Sequence, residues 1–594
     1  MNINNQNEKN KTLFLRFLKP YRKYFILAVI AIIIECGLEI SIPFLMNQLL
    51  DNGMTPTFDE SGNIASYTLN LQYTLGMGGI MVGFAVVAFG LGIITAKFTA
   101  KAGRGFGYEL RKEEFKKIQD FSFKELDEFR INSLVTRMTN DVQIISDTFC
   151  QVLRPLLRAP LQLVFSFVFA IIMSKQLSIV FGIIVPLLAV LLTVMLLISK
   201  PLFVKVQGAL DEINRTTQES LVAMKLVRAN SKKEYEISKF TKVNNEVKDI
   251  GTKSFSIGAW NMAIMEFMTY ACILGILFVG GKLSLSDTTG RMINNISSFL
   301  SYVMQVLASL NMLSNVFMTF TRSEASTYRI AQVFNSQNEI VDKKDSKLKI
   351  TDGSVSFKYN DSAKENVLSD ISFKINDGDF VGILGQTGSS KTTLVYLLDR
   401  FYDVTSGSIE VSNNNIKDYS LAELRKNIAI SFQNPTLFSG TIEDNLRWGN
   451  PLATEEEIIK ACKIAGCYDF IMEKFPAGFK TKMGQTGSNV SGGQRQRICL
   501  ARAILKKPKI LILDDSFSAL DRITEAEVKH NLKYDLPHMT KIVISQKVST
   551  IEDADKIIVL NEGKLNNIGT SDELIKKDPI YQSIYKIQTE GLKA

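Results

Sequence analysis

Histidine is nearly missing: His530 and His538 are the only two in 594 residues. The six cysteines (Cys36, Cys150, Cys272, Cys462, Cys467 and Cys499) include no pair at CxxC spacing. Structural zinc needs four closely spaced Cys or His ligands, so no Cys/His metal site is expected, and the cysteines read as reduced and buried. No early run joins a charged start, a short apolar core and a small-residue cleavage site, so no secretory signal is expected. Basic residues exceed acidic ones, 69 to 60, yet segment 51–72 contains none, while 97–154 and 200–253 carry eleven each. A basic face for nucleic acid would not be partitioned this way, and no nucleic-acid partner is expected. The asymmetry is the positive-inside pattern, which puts the long basic loops and both termini in the cytoplasm.

Hydrophobic residues make up 46% of the chain, and the long apolar runs lie in its first 330 residues. A bilayer core of about 30 Å takes roughly 20 apolar residues per helix. Candidate spans are 24–49, 73–97, 156–174, 177–199, 257–281 and 293–320. The expected fold is an α-helical six-span transmembrane domain with long intracellular helices over 1–330, followed by an α/β domain over 331–594. Segment 11–20 reads as a short amphipathic helix on the membrane surface. Spans 3 and 4 are joined by a tight turn at 174–176, whereas spans 2–3 and 4–5 are separated by long, polar, helix-forming arms.

Ionisable groups at membrane depth are costly, which makes them functional candidates. Glu35 and Glu39 lie one turn apart in span 1, and Glu266 lies in span 5 near Met265 and Met268. Span 6 repeats Asn294, Ser298, Ser301, Gln305 and Ser309 at three- and four-residue spacing, a polar stripe that suits a wet cavity or helix–helix hydrogen bonding. Glu35, Glu39, Glu266, Ser298, Ser301 and Gln305 are the candidate substrate-pathway residues.

From residue 348 on, short β runs alternate with helices. The buried-strand pattern Val381-Gly-Ile-Leu384 leads into Gly385-Gln-Thr-Gly-Ser-Ser-Lys-Thr392, a phosphate-binding loop with a strand before it and a helix after it. Backbone amides over Gly385, Gly388, Ser389, Ser390 and Thr393 suit phosphates at a helix N-terminus. Lys391 suits the outer phosphates, and the Thr392 hydroxyl suits Mg²⁺. Ser390 replaces the glycine that usually precedes the lysine; a glycine-type dihedral there would cost serine roughly 1–2 kcal/mol.

Further along come Phe432-Gln433-Asn-Pro, then Ser491, Gly492, Gly493 and Gln494, then Asp514 and Asp515 after the strand pattern Ile510-Leu-Ile-Leu, then Ser518-Ala-Leu-Asp521 and a last strand at 541–545. Together with the six spans and the two arms, this ordered set resembles a half-transporter of the ABC exporter family over nearly the whole chain. The resemblance implies ATP and Mg²⁺ as cofactors, Tyr359 stacking on adenine, and Thr392, Gln433 and Asp514 around the metal. Residues 491–494 resemble the signature that serves the partner's ATP, and 121–129 with 134–141 and 219–230 with 234–236 resemble coupling helices.

Two residues depart from the family at the catalytic positions. Asp515 stands where the family has a glutamate, and Gln546 where it closes with a histidine; glutamine can hydrogen-bond but cannot become cationic. With Ser390, three changes fall on one chemistry beside an intact signature. The resemblance is therefore to the impaired-site subunit of heterodimeric bacterial multidrug exporters. It implies an ATP-driven translocase in the bacterial cytoplasmic membrane, a second half-transporter carrying the competent site, and small hydrophobic or cationic drug-like cargo, with membrane lipid around it. A homodimeric lipid or peptide exporter with slow hydrolysis is the alternative, and an ATP-gated channel or sensor is the alternative of another class.

Overall fold

The computed structural model describes residues 16–58, 64–285, 291–343, 345–359, 367–369, 371–386, 388–484 and 487–590. The chain divides into two compact units, Met1–Asp120 with Phe129–Ser336, and Phe121–Glu128 with Gln337–Ala594. Residues 11–15 of the expected surface helix at 11–20 lie outside the described residues; 16–18 are helical and run into a 3₁₀ turn, Lys19–Tyr21.

The first unit is helical. Helix α1 (Arg22–Gly53) runs through Pro43, and an antiparallel hairpin, β1 (Met54–Phe58) and β2 (Ile64–Leu69), links it to α2 (Leu71–Gln119). Asn70 caps α2, its side chain accepting the Tyr73 N–H at 3.1 Å. At 1.5 Å per residue the 49-residue α2 is about 74 Å long, more than twice the bilayer core, so its polar half continues beyond the apolar part.

The first arm folds back through α3 (Phe123–Phe129), α4 (Ile131–Thr136) and a π turn at Arg137–Asp141 into α5 (Val142–Met173). Ser174 alone separates α5 from α6 (Lys175–Val222); it is extended, and its hydroxyl accepts the Leu177 N–H at 3.4 Å. The second arm turns through α7 (Met224–Ala229) into the 52-residue α8 (Lys233–Ser284), and α9 (Arg291–Asn335) completes the unit.

Five helices among the described residues are long and apolar enough to cross a membrane. The remaining expected span, 177–199, lies on α6, where the apolar stretch found is the shorter Pro186–Ser199. The core holds α5, α6, α8 and α9 together through Ala170, Leu188, Ile276, Phe299 and Val303. Tyr302 is fully buried, donating to the Ile40 carbonyl at 3.2 Å and stacking on Phe169.

In the second unit, β3 (Val355–Tyr359), β4 (Ile371–Ile375) and, further along the chain, β6 (Ser408–Val411) form an antiparallel layer in the order β4-β3-β6. The main sheet starts from β5 (Phe380–Gly385), which is followed by helix α10 (Lys391–Leu398). Its other strands are β7 (Ile428–Ser431), β8 (Ile510–Asp514), β9 (Thr540–Ser545), β10 (Lys556–Asn561) and β11 (Lys564–Gly569). The order is β11-β10-β5-β9-β8-β7, parallel throughout except for the β10–β11 hairpin. Every residue of β5, β8 and β9 is buried, which is why β5 and β8 read as apolar runs rather than alternating ones, while β9 buries Thr540, Lys541 and Ser545 around its apolar centre.

Helix α11 (Gly492–Leu505) precedes β8, α12 (Arg522–Tyr534) follows it, and α13 (Pro579–Glu590) ends the described chain. Residues Phe121–Glu128 from the first arm pack as part of this second unit: Phe123 stacks on Phe401 with ring centroids 4.2 Å apart, and the Tyr402 hydroxyl donates to Asp127 at 2.6 Å.

Candidate functional site

In open α/β sheets, ligands bind beyond the carboxyl ends of the parallel strands. Here β5, β8 and β9 end beside one another, and a cleft of about 290 Å³ opens there. It is lined by Gly388, Ser390, Lys391, Thr392, Gln433, Asp514, Asp515, Ile544, Ser545 and Gln546. The fold thus brings residues from four separate stretches of sequence to one place.

Lys391 opens α10 and turns back over its own loop. Its ammonium donates to the carbonyls of Gly385 and Gln386 at 2.7 and 2.8 Å and to the Ser389 hydroxyl at 3.3 Å. Burial pushes the Lys391 pKa down, opposed by Asp514 and Asp515. Gly388 sits at φ +86° with open space where a side chain would be. Ser390 stands at φ 67°, ψ 25°, the left-handed conformation that only glycine adopts freely, so the dihedral that penalises serine is the one the loop adopts.

Asp514 ends β8. One of its oxygens lies 3.5 Å from the Thr392 hydroxyl; the other is buried with no hydrogen-bond partner. Burial raises the Asp514 pKa, opposed by the Thr392 hydrogen bond. An unpaired buried carboxylate oxygen beside a threonine hydroxyl is a donor set that fits Mg²⁺.

Asp515 is also left-handed, at φ 49°, with its N–H donating to the Ile544 carbonyl at 3.1 Å. Aspartate is enriched several-fold in that conformation relative to most residues. Gln433 reaches the Asp515 carboxylate at 3.4 Å. Thr393 lies in the first turn of α10, and Tyr359 is the last residue of β3, its side chain outside the described residues.

Residues 491–494 do not line this cleft. Ser491 caps α11 in a reciprocal box: its hydroxyl accepts the Gln494 N–H at 3.3 Å, and Gln494 accepts the Ser491 N–H at 3.0 Å. Ser491 and Gly492 are exposed, with Gly493 and Gln494 half-buried beside them. Gly493 is required by close packing, since a Cβ would meet the Ala519 carbonyl at 2.6 Å.

The membrane residues are dispersed. Glu35 is buried and ion-paired with Arg154 and, at 3.7 Å, with Arg158; Glu39 pairs with Arg158. Ser298 is buried and donates to the Pro43 carbonyl at 3.0 Å, while the exposed Ser301 donates only within its own helix, to Ser297. Gln305 is half-buried, 3.5 Å from the Ser166 hydroxyl, and Glu266 is exposed. Sequence reasoning missed the two arginines as partners. The signal was present, since Arg154 and Arg158 repeat the four-residue spacing of Glu35 and Glu39.

Comparison with known proteins agrees with this geometry. Residues 25–336 match the family described as ABC transporter transmembrane region, and residues 368–518 match ABC transporter. The chain is 33% identical over 581 residues to the uncharacterized ABC transporter ATP-binding protein YfiB of Bacillus subtilis, covering 97% of this chain and 98% of that protein. It is 30% identical over 594 residues to an ATP-dependent lipid A-core flippase of Syntrophus aciditrophicus, covering 98% and 96%. A solved bacterial Atm1-family ABC exporter with ATP bound superposes with a TM-score of 0.79 at 21% identity, over 96% of this chain and 98% of that one, which shows the shared fold. A multi-pass transmembrane region followed by a nucleotide-binding unit, matched over nearly its full length, makes this chain a member of the ABC transporter family with the exporter fold.

Proposed function

We propose that this chain is one half of a heterodimeric ATP-driven exporter of hydrophobic or amphipathic compounds in a bacterial cytoplasmic membrane. Its own site binds ATP but hydrolyses it poorly, while its signature serves the partner's site. The observation that carries this reading is the contrast within one chain. The cleft joins Lys391, Thr392 and Asp514 to Ser390, Asp515 and Gln546, while Ser491 and its neighbours are intact, capped and outside that cleft.

In this reading Lys391 and the loop amides hold the phosphates, and Tyr359 stacks on adenine. Thr392, Gln433 and Asp514 would hold Mg²⁺, which, when bound, neutralises charge on the outer phosphates. Asp515 is one methylene shorter than the glutamate it stands in for, and a misplacement of about 1 Å can cost on the order of 10²-fold in rate. Gln546 offers the γ-phosphate a hydrogen bond without positive charge. Binding is retained and rapid hydrolysis is not.

Assembly with a second half-transporter is supported by the second arm. At its tip Leu221, Val222 and Leu226 are 64%, 82% and 65% exposed, apolar surface that suits burial against another subunit. For cargo, the exposed Glu266 lies beside the exposed Phe267 and Tyr270, a pairing that suits a cationic amphiphile.

Co-expression with candidate half-transporters, co-purification and ATPase assay test the proposal; vigorous turnover by this chain as a verified homodimer defeats it. The similarity to a lipid A-core flippase favours a second reading, a homodimeric lipid exporter with slow hydrolysis. Lipid-stimulated ATPase without a partner chain would establish that one.

A further inference from the structure

The loop that carries Gln546 leaves β9 after Ser545 and has no regular structure until Val548. Ile544, Ser545 and Gln546 all line the cleft, so the path of this loop sets what meets the end of a bound triphosphate. Within the loop, the Ser545 hydroxyl accepts the Lys547 N–H at 2.9 Å. Two further bonds come from far along the chain.

Helix α13 is anchored at its start, where one Asp578 oxygen accepts the N–H groups of Ile580 and Tyr581 at 2.9 and 2.8 Å. Tyr581 is fully buried, its hydroxyl 2.8 Å from that of Ser571, and Ile584 and Tyr585 pack against the same core. These residues stand three and four positions apart on one helical face, and the next place on that face is Gln588. An apolar stripe thus ends in a side-chain amide.

That amide makes two bonds, one on each side of Lys547. Its oxygen accepts the Val548 N–H at 2.8 Å, and its nitrogen donates to the Gln546 carbonyl at 2.9 Å. Because one partner is a donor and the other an acceptor, a single orientation of the amide satisfies both. A helix that merely docked on the domain would need no such directional pair. We propose that Gln588 is a positioning residue for the nucleotide site: it clamps the loop so that Gln546 keeps a fixed height over the γ-phosphate position. The inference rests on the reading that Gln546 faces that phosphate.

The distinguishing readout is the preference for MgATP over MgADP, since only ATP carries the group that the loop would meet. The full-length chain in lipid nanodiscs is titrated with each nucleotide as wild type, Gln588→Leu, Gln588→Glu and Gln546→Ala. Gln588→Leu loses both bonds; Gln588→Glu keeps an acceptor for Val548 and loses the donor to Gln546. Both should leave MgADP affinity unchanged and lower the ATP preference, Gln588→Leu by roughly tenfold, the size of one hydrogen bond to a charged group. Gln546→Ala should lower it as far.

Equal losses for ATP and ADP, or an unchanged ratio in both Gln588 variants while Gln546→Ala lowers it, overturn the clamp alone. An unchanged ratio in Gln546→Ala removes the reading of Gln546 and the clamp with it. If Gln588→Leu does not fold, Gln588→Glu decides.

Discussion

Arg158, on α5, stands between Glu35 and Glu39 on α1: it pairs with Glu39 and lies 3.7 Å from Glu35, which also pairs with Arg154. Two carboxylates and two guanidiniums, each pair spaced by four residues, form a ladder whose charges balance. Arg158 and Glu39 are half-buried, so breaking the pair from one side strands a partly desolvated charge, at the lower end of the roughly 3–5 kcal/mol that a fully buried pair costs. Arg158→Leu should therefore destabilise the membrane unit strongly, and Arg158→Leu with Glu39→Leu should recover much of the loss. Thermal unfolding of the detergent-solubilised chain measures this; additive losses in the double variant would show that the two residues are not coupled.

Ser390→Gly places the residue type that a φ of 67° favours. Relief of left-handed strain, less the extra freedom glycine has when unfolded, should stabilise the loop by about 1 kcal/mol and tighten ATP binding accordingly. Ser390→Val should do the reverse. ATP titration of the three proteins checks the order, and equal affinities would mean that the loop is not strained.

Asp399 closes α10, buried beside Arg425 and Lys506. Burial pushes its carboxyl up to about 7, with both cations opposing. The folded value lies above the ordinary one of about 4, so the folded domain binds this proton more tightly than the unfolded chain. The contribution is present in full below the ordinary value and is lost as pH rises through the folded one. Asp399→Asn stays neutral throughout, so its melting temperature should gain on the wild type as pH climbs from about 5 to 8. A difference that does not change with pH rejects the assignment.

The proposed division of labour has its own test on co-expression with a second half-transporter. On that proposal Gly492→Asp strikes the partner's site and should lower ATPase and efflux together by roughly 10² or more, as expected for a lost transition-state contact. Asp515→Asn strikes the site that the proposal makes slow, and on that proposal it should cost far less. If Asp515→Asn abolishes turnover as fully as the signature variant does, the site on this chain is catalytic.

The nucleotide cleft was legible because a phosphate loop is a local string with a required context, and the buried strands β5 and β8 announce themselves as apolar runs. What stayed hidden depends on long-range register. Nothing in the sequence near Gln588 says that it reaches back 40 residues to Val548. The serines of span 6 repeat evenly, yet Ser298 faces α1 and Ser301 is exposed, because three- and four-residue steps drift around a helix with 3.6 residues per turn. Glu35 and Glu39 looked available until their partners on α5 could be placed.

Helix α8 runs 52 residues without a break, about 78 Å at 1.5 Å per residue. A rod of that length is a lever. Tilting it by about 5° at one end swings the other by about 7 Å while leaving the hydrogen bonds along its axis intact. A tilt of a few degrees set at one end of the helix therefore becomes a displacement of several ångströms at the other.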